Sequence, residues 1–429
     1  MMTISGNDFR AVCSSLVVAA AVVSPVRGQN APVLQFDRLP PSPAFSGQTR
    51  APAPTELSSY QVESIASGLD APWSLAFLPD GRALVTERPG RMRVMNANGD
   101  ISGPLTGLPP IRGYRSMGLT DIALDSEFES NRLLYLTYYA PPDGEPGGPP
   151  SPQALEAWQA LSPDEQVANP IGIYHVAKAR LTDDATGLEN VEVLLDAGGR
   201  RLVYAPDGTL FATTSGAQST TNSLISEAQD LRAIGGKVFR VNRDGSIPRD
   251  NPDYDNRDAL PAIYSIGHRD PEGAAINPST GELWMVEHGP RGGDELNIIR
   301  AGRNYGWPLI SYGNEYSTAP IGDGLRAQDG LEQPIYFWVP SIAPSGMLFY
   351  TGDLFPEWQG NLFVGSLAAQ HLTRLVLDGD RVVAEERLLV ERGQRIRDVR
   401  QGPDGALYLL TSSPGPGPAS AEVLKITPN

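Results

Sequence analysis

From Tyr60 onward the chain repeats one local pattern. A turn rich in Asp or Asn, Pro and Gly is followed by a short run in which large apolar side chains alternate with smaller or polar ones. The copies are LPDGRALVTER (78–88), APDGTLFATTS (205–215), NPSTGELWMVEH (277–288), FPEWQGNLFVGS (355–366) and GPDGALYLLTS (402–412), with a further strand-like run, RLLYLTYYA, at 132–140. Period-2 alternation predicts half-buried strands, and the turn residues predict tight reversals between them. Turn-plus-strand units repeated over about 370 residues predict an all-β fold, a six-bladed β-propeller with roughly 60 residues per blade. A pair of β-sandwiches would give similar local units; the coils of a β-helix would be shorter than this spacing. The closing run AEVLKIT is expected to pair with an N-terminal strand and close the ring, after a flexible loop, SPGPGPAS, at 413–420.

Two stretches break the pattern. Residues 141–170 open as a Pro/Gly loop and continue into QALEAWQALSPDEQVANP. A short helix is expected there, starting near Ser151 or Pro152, with Leu155, Trp158 and Leu161 on one side. It would sit on a propeller face or rim, as a decoration or a lid. Residues 29–57, rich in Pro, Ala, Ser and Gln, read as a flexible spacer. Before them, Arg10 precedes the apolar run Ala11–Val23, with small residues at Ser24 and Gly28. That run has the length of a secretory signal and is too short to span a bilayer. Residues 1–28 are therefore expected to be a signal peptide, the domain at 58–429 the propeller, and the protein periplasmic or secreted. Removal of that segment would take away the only cysteine, Cys13, and with it disulfides and thiol catalysis.

Composition narrows the chemistry. Of 429 residues, 45 are Gly and 39 Pro, which suits many turns, and the formal net charge is −16. A surface this acidic repels nucleic acid and anionic lipid, so neither is expected as a partner, and no later segment is long and apolar enough for a membrane span. The exception to the blade pattern is Ile263–Trp307, IYSIGHRDPEGAAINPSTGELWMVEHGPRGGDELNIIRAGRNYGW. Gly289-Pro290 and Gly292-Gly293 put bare backbone beside His288, Arg291, Asp294 and Glu295. Carbonyl oxygens close to carboxylates suit a hard cation such as calcium. Arg269 and Asp270 are placed to orient an anionic ligand.

An ordered set of motifs gives this segment a family. GHRDPEG, then EHGPRGGDELN, then GRNYGWP, together with LAFLPDGRALVTERPGRMRV, GLTDIALDSEFESNRLLYLTY, GGKVFRVNRDGSIPRDNP, PSIAPSGM and RIRDVRQGPDGALYLLT, resembles the soluble glucose/sorbosone dehydrogenases, including the aldose sugar dehydrogenases. The resemblance runs from about Val62 to Thr427. It implies a six-bladed propeller that uses pyrroloquinoline quinone and Ca2+ to oxidise a sugar, and leaves the electron acceptor unspecified.

The resemblance also implies roles. Arg269 matches an arginine that faces the quinone, although the Asn that follows it in the family is Asp270 here. Gly289 and Pro290 match the pair whose backbone oxygens hold calcium. Arg395 and Arg397 match two arginines that hold quinone carboxylates, which bidentate guanidinium groups suit; pairing with Asp398 or neighbouring carboxylates is the structural alternative. Ser341 matches a Thr or Ser that contacts the quinone. Other positions depart. The family's base, a histidine ahead of a Gly-Gly-Arg-Leu-type strand, falls on Ala197, preceded by Asp196. A quinone-contacting lysine falls on Ala368, and a glutamine on Ser116. Asp196, Asp270, Glu272 and His268 are then the candidate substitute bases. His268 and His288 are expected to be structural, His175 a blade residue, and His371 open between surface and channel. Three functions follow: a quinoprotein dehydrogenase acting on an aldose or related alcohol, slowed unless another group replaces the missing histidine; a propeller that binds sugar or quinone without catalysis; and a calcium-dependent lactonase-like hydrolase, in which the cation would polarise a carbonyl.

Overall fold

A computed structural model describes residues 24–27, 41–114, 117–142, 144–162, 165–166, 169–216, 227–412 and 421–429. The expected signal run Ala11–Val23, the 413–420 loop and Ser116 lie outside them. Six antiparallel sheets form the six blades of a β-propeller. Blade 1 comprises Pro72–Phe77, Ala83–Glu87 and Arg91–Met95; blade 2 Leu119–Leu124, Leu133–Ala140, Ile173–Leu181 and Leu188–Leu195. Blade 3 is built from Leu202–Tyr204, Thr209–Thr213, Lys237–Asn242 and Ile263–Ile266, and blade 4 from Pro271–Ile276, Leu283–Glu287, Asp294–Ile299 and Tyr336–Trp338. Blade 5 holds Pro344–Phe349, Leu362–Ser366, Leu372–Asp378 and Arg381–Leu388. Blade 6 takes Arg395–Gln401, Leu407–Ser412 and Ala421–Pro428 from the C-terminal end. Its fourth strand, Ser59–Leu69, comes from near the N-terminus, so Tyr60 lies opposite Pro428 and Val62 opposite Ile426. The expected closure of the ring is this pairing, and Ser24–Arg27 adds a strand outside it.

The recurring PDG turns work as their chemistry requires. At the first, the Gly81 N–H donates to the Leu78 carbonyl at 3.0 Å with φ at +86°, a backbone conformation that favours glycine. The same reversal recurs at Gly208 and Gly405. Between neighbouring blades the alternating side chains pack into separate apolar cores. One of them centres on Trp358, stacked on Phe355 with ring centroids 3.7 Å apart.

The helix in the insertion spans Pro152–Gln159, with the Ser151 hydroxyl accepting from the Ala154 N–H at 3.1 Å. Leu155, Trp158 and Leu161 are half-buried on one side, as their spacing predicts. The stretch read as a flexible spacer differs from expectation beyond residue 41. Gln48 donates to the Pro334 carbonyl, Thr49 to that of Phe337, the Ala51 N–H to the Tyr336 hydroxyl, and the Pro52 carbonyl accepts from the Glu385 N–H at 2.9 Å. A composition without periodicity has no packed face of its own, yet its backbone and short polar side chains bond to blades 4 and 5.

Candidate active site

The first strand of each blade lines the central channel, and these strands begin at one end of the ring. There, first strands start and second strands finish, which brings residues from distant parts of the chain into one cup. Arg88 follows the second strand of blade 1, His288 follows that of blade 4, and Arg200 precedes the first strand of blade 3. Arg269 and Asp270 precede the first strand of blade 4, which carries Glu272, while Arg395 and Arg397 open blade 6.

Among the described residues, two carboxylates sit among five guanidinium groups in this cup. Arg200 spans both, 2.9 Å from Asp270 and 3.2 Å from Glu272. Arg397 donates to Glu272 at 2.7 Å and to the Ser345 hydroxyl at 3.2 Å, and lies 4.1 Å over the Trp73 ring. Burial and the neighbouring arginines, partly offset by Glu272, lower Arg397 to about 10, so it stays charged at neutral pH. Arg395 gives one N–H to the Leu367 carbonyl at 3.0 Å, and Arg269 one to the His288 carbonyl at 2.9 Å. The Nε of each is buried without a protein partner. Arg88 is half-buried with no side-chain hydrogen bond or ion pair among the described residues, and burial lowers its pKa. Asp270 is held below the usual carboxylate range by Arg200, His288 and Arg269, despite its burial.

The Gly289-Pro290 loop borders the same space. Asp294 fixes it: its carboxylate accepts from the Gly289 N–H at 2.9 Å, from the Ser341 hydroxyl at 2.8 and 2.9 Å, and from the N–H groups of Ile342 and Ala343. Ser341 is thus engaged with Asp294, and reaches the cup through the loop it braces. Gly289 is packed so closely that a Cβ there would lie 2.1 Å from the Gly292 carbonyl oxygen. His288 donates Nε2–H to the Pro344 carbonyl at 2.7 Å, which leaves Nδ1 3.8 Å from Asp270. Asp270, Glu272 and His288 bring ligand atoms within 4.8 Å of one another, a donor set compatible with a divalent cation. Behind the loop, burial and the nearby Glu287 push the Glu295 carboxyl well above the usual range.

The remaining histidines are sorted by their bonds. His268 is fully buried between Ser265 at 2.8 Å and Glu287 at 3.2 Å and stacks on Tyr305, a structural role. His371 is 2% exposed inside blade 5, between the Ala369 carbonyl and Thr373, which resolves the surface-or-channel question in favour of a third place. His175 lies on a blade 2 strand and meets Asp196 at 2.9 Å. Asp196 is exposed, and this bond holds it to blade 2 and not to any residue of the cup. Ala197 is 1% exposed in the core between blades 2 and 3, with Tyr135 and Val176.

Sequence reasoning passed over Arg88 and Arg200. The doubled arginine of GGRRLVY was a usable signal: Arg201 continues into the channel core, and Arg200 is the extra cation left at its mouth. A groove of about 660 Å³ lies at the other end of the ring, lined by Phe77, Phe128, Asp125, Glu127 and neighbours without any arginine. The cup is the better candidate because its charged groups converge and are incompletely paired.

This geometry falls within a known class. The model of the glucose/sorbosone dehydrogenase family matches residues 69–417, and the chain belongs to that family of oxidoreductases. It is 38% identical over 375 residues to aldose sugar dehydrogenase YliI of Escherichia coli, covering 86% of this chain and 94% of that one. The apo-form crystal structure of the soluble aldose sugar dehydrogenase from Escherichia coli superimposes with a TM-score of 0.74 at 36% identity, covering 86% and 100% of the two chains. Quinoprotein glucose dehydrogenase B of Acinetobacter calcoaceticus is 25% identical over 435 residues, covering 85% and 87%.

Proposed function

We propose that the protein is a quinoprotein dehydrogenase that oxidises an aldose sugar or related alcohol, with pyrroloquinoline quinone and calcium seated in the arginine cup. The observation that carries this reading is the charge balance. Five guanidinium groups against two carboxylates leave three positive charges in excess, within a chain whose formal charge is −16. A quinone with three carboxylates is an anion that this excess attracts, and a bound calcium ion would add two further positive charges. The orphaned Nε groups of Arg269 and Arg395 supply donors that the protein leaves unused.

Arg269, Arg395 and Arg397 would hold the quinone, and the Gly289 and Pro290 carbonyls would hold calcium beside it. When bound, the quinone supplies the hydride acceptor for the sugar C1–H. Arg269, resting on the His288 carbonyl and 5.4 Å over the Trp307 ring, is fixed where it can stabilise developing negative charge. The sugar hydroxyl must lose a proton in the same event. Asp270 and Glu272 are the carboxylates inside the cup; Asp196, the other candidate, is not. Both are paired with arginine: Arg200 helps to hold Asp270 below the usual carboxylate range, which makes it a weak base, and Glu272 is engaged by Arg200 and Arg397.

That pairing and the packed Ala197 favour a second reading, a propeller that binds the quinone or a sugar and turns over slowly or not at all. Export to the periplasm or beyond, by the N-terminal apolar run, is part of the proposal. Quinone titration with calcium or with chelator tests the cofactor: calcium-dependent binding supports the dehydrogenase, and no binding in either condition rejects it and leaves the propeller module. Dye-linked sugar oxidation by the loaded protein then separates enzyme from binding module.

A further inference from the structure

We propose that Arg88 binds a carboxylate of the ligand in the cup, and so helps to set which anion the protein accepts. This rests on the reading that the cup takes a quinone and a sugar. The other four arginines already have protein partners. Arg200 has Asp270 and Glu272; Arg397 has Glu272 and Ser345; Arg269 and Arg395 each have a backbone carbonyl. Among the described residues Arg88 has none for its side chain.

Its backbone is nonetheless fixed. The Arg88 N–H donates to the Ala71 carbonyl at 3.1 Å, and its carbonyl accepts from the Leu119 N–H at 3.1 Å. The side chain therefore starts from a rigid junction between blades 1 and 2. Its charge lies in the field of Glu272, Asp70 and Arg200, and it bears in turn on Arg395 and Arg397. A half-buried guanidinium with no hydrogen-bond acceptor for its fork is unfavourable in the protein alone. A bidentate carboxylate would satisfy that fork. Two ligands could bring it: the quinone itself, or an acidic sugar such as a uronate.

Calorimetry on the full chain with calcium distinguishes the two. Pyrroloquinoline quinone is titrated into wild type and Arg88→Gln, and D-glucuronate and D-glucose into the quinone-loaded proteins. A charge-assisted contact predicts about a ten- to hundredfold loss of affinity in the variant. Loss confined to the quinone makes the cofactor the source. Loss confined to glucuronate, with glucose unchanged, makes it the sugar. Arg88→Lys, which keeps the charge without the fork, should fall between. Because Arg88 loses no protein partner, Arg88→Gln should melt no lower than wild type. Unchanged affinity for both quinone and glucuronate overturns the proposal. A wild type that takes no quinone overturns the function proposed above instead. Glucuronate binding to the unloaded chain then decides for Arg88: weakening by Arg88→Gln supports it, and equal or absent binding overturns it.

Discussion

Glu272→Gln tests whether the cup is built around a deliberate charge deficit. Glu272 is 4% exposed, and its carboxylate lies 2.7 Å from Arg397 and 3.2 Å from Arg200. At an effective dielectric of 20 these contacts have Coulomb energies of about 5–6 kcal/mol each. Desolvation offsets much of that, and removing one partner of a buried pair typically costs about 3–5 kcal/mol. The amide keeps the shape and a hydrogen-bond acceptor, so the loss is mainly charge. At roughly 2 °C per kcal/mol for a domain of this size, the ligand-free variant should melt about 6–10 °C lower. Its affinity for the tricarboxylate quinone should instead rise, because the excess of positive charge in the cup grows from three to four. Differential scanning fluorimetry without and with saturating quinone reads both effects; the melting gap should narrow on loading. A ligand-free variant within about 2 °C of wild type would refute the estimate of coupling. A fall in quinone affinity would refute the charge argument and make Glu272 a direct contact of the cofactor.

Three further outcomes follow from burial. His371 is lowered to about 3 by desolvation, so the unfolded chain takes up a proton below its ordinary pKa of 6.5 while the folded chain does not. Stability should therefore fall as pH drops through 6.5, by about 2 kcal/mol at pH 5, and urea denaturation of wild type and His371→Gln at pH 5 and 7.5 should show the dependence reduced in the variant. Ala197→His, which would restore the family's imidazole, should lower stability by about 1–3 kcal/mol or more by overpacking and leave dye-linked turnover no faster; a large rate gain would show that residue 197 reaches the cup. Arg201→Met should cost about 3–5 kcal/mol by leaving Asp121 and Asp398 short of a partner, while quinone affinity of the folded variant stays within about twofold; a large affinity loss would move Arg201 into the ligand site.

The fold was readable because propeller blades are local. Each PDG turn and alternating strand carries its own signal, and ring closure needed only one unpaired strand at each end. The segment 263–307 announced its chemistry through residues a blade does not need, and Arg269, Asp270, Gly289 and Pro290 do come together at one mouth of the channel. Pairing within the cup was less legible. Arg397 was expected to hold a ligand or to pair with Asp398 or a neighbouring carboxylate; its partner is Glu272, 125 positions away, which the sequence did not single out because the first strands of blades 4 and 6 meet only through the channel. Asp196 and Ala197 were placed by their distance from RLVY along the chain. Spacing cannot say that one ends on the exposed rim and the other inside a core. Arg88 went unnoticed because TERPG reads as an ordinary strand end followed by a turn.

The two levels of the channel divide its work. Below the cup, Arg201 is 2% exposed and lies 3.0 Å from Asp398 and 3.5 Å from Asp121, and Arg400 lies 2.9 Å from Asp398 and 3.3 Å from Asp121. Arg201 also donates to the carbonyls of Glu272 and Arg397, and Asp121 accepts from the Leu202 N–H. Two cations and two carboxylates from blades 2, 3 and 6 thus neutralise one another, with backbone from blade 4 completing the set. A balanced network of this kind needs no ligand and fixes the register of the blades around it. The level above has the same residue types in an unbalanced ratio. By that difference the lower level suits cohesion, and the upper suits the anion binding proposed for it.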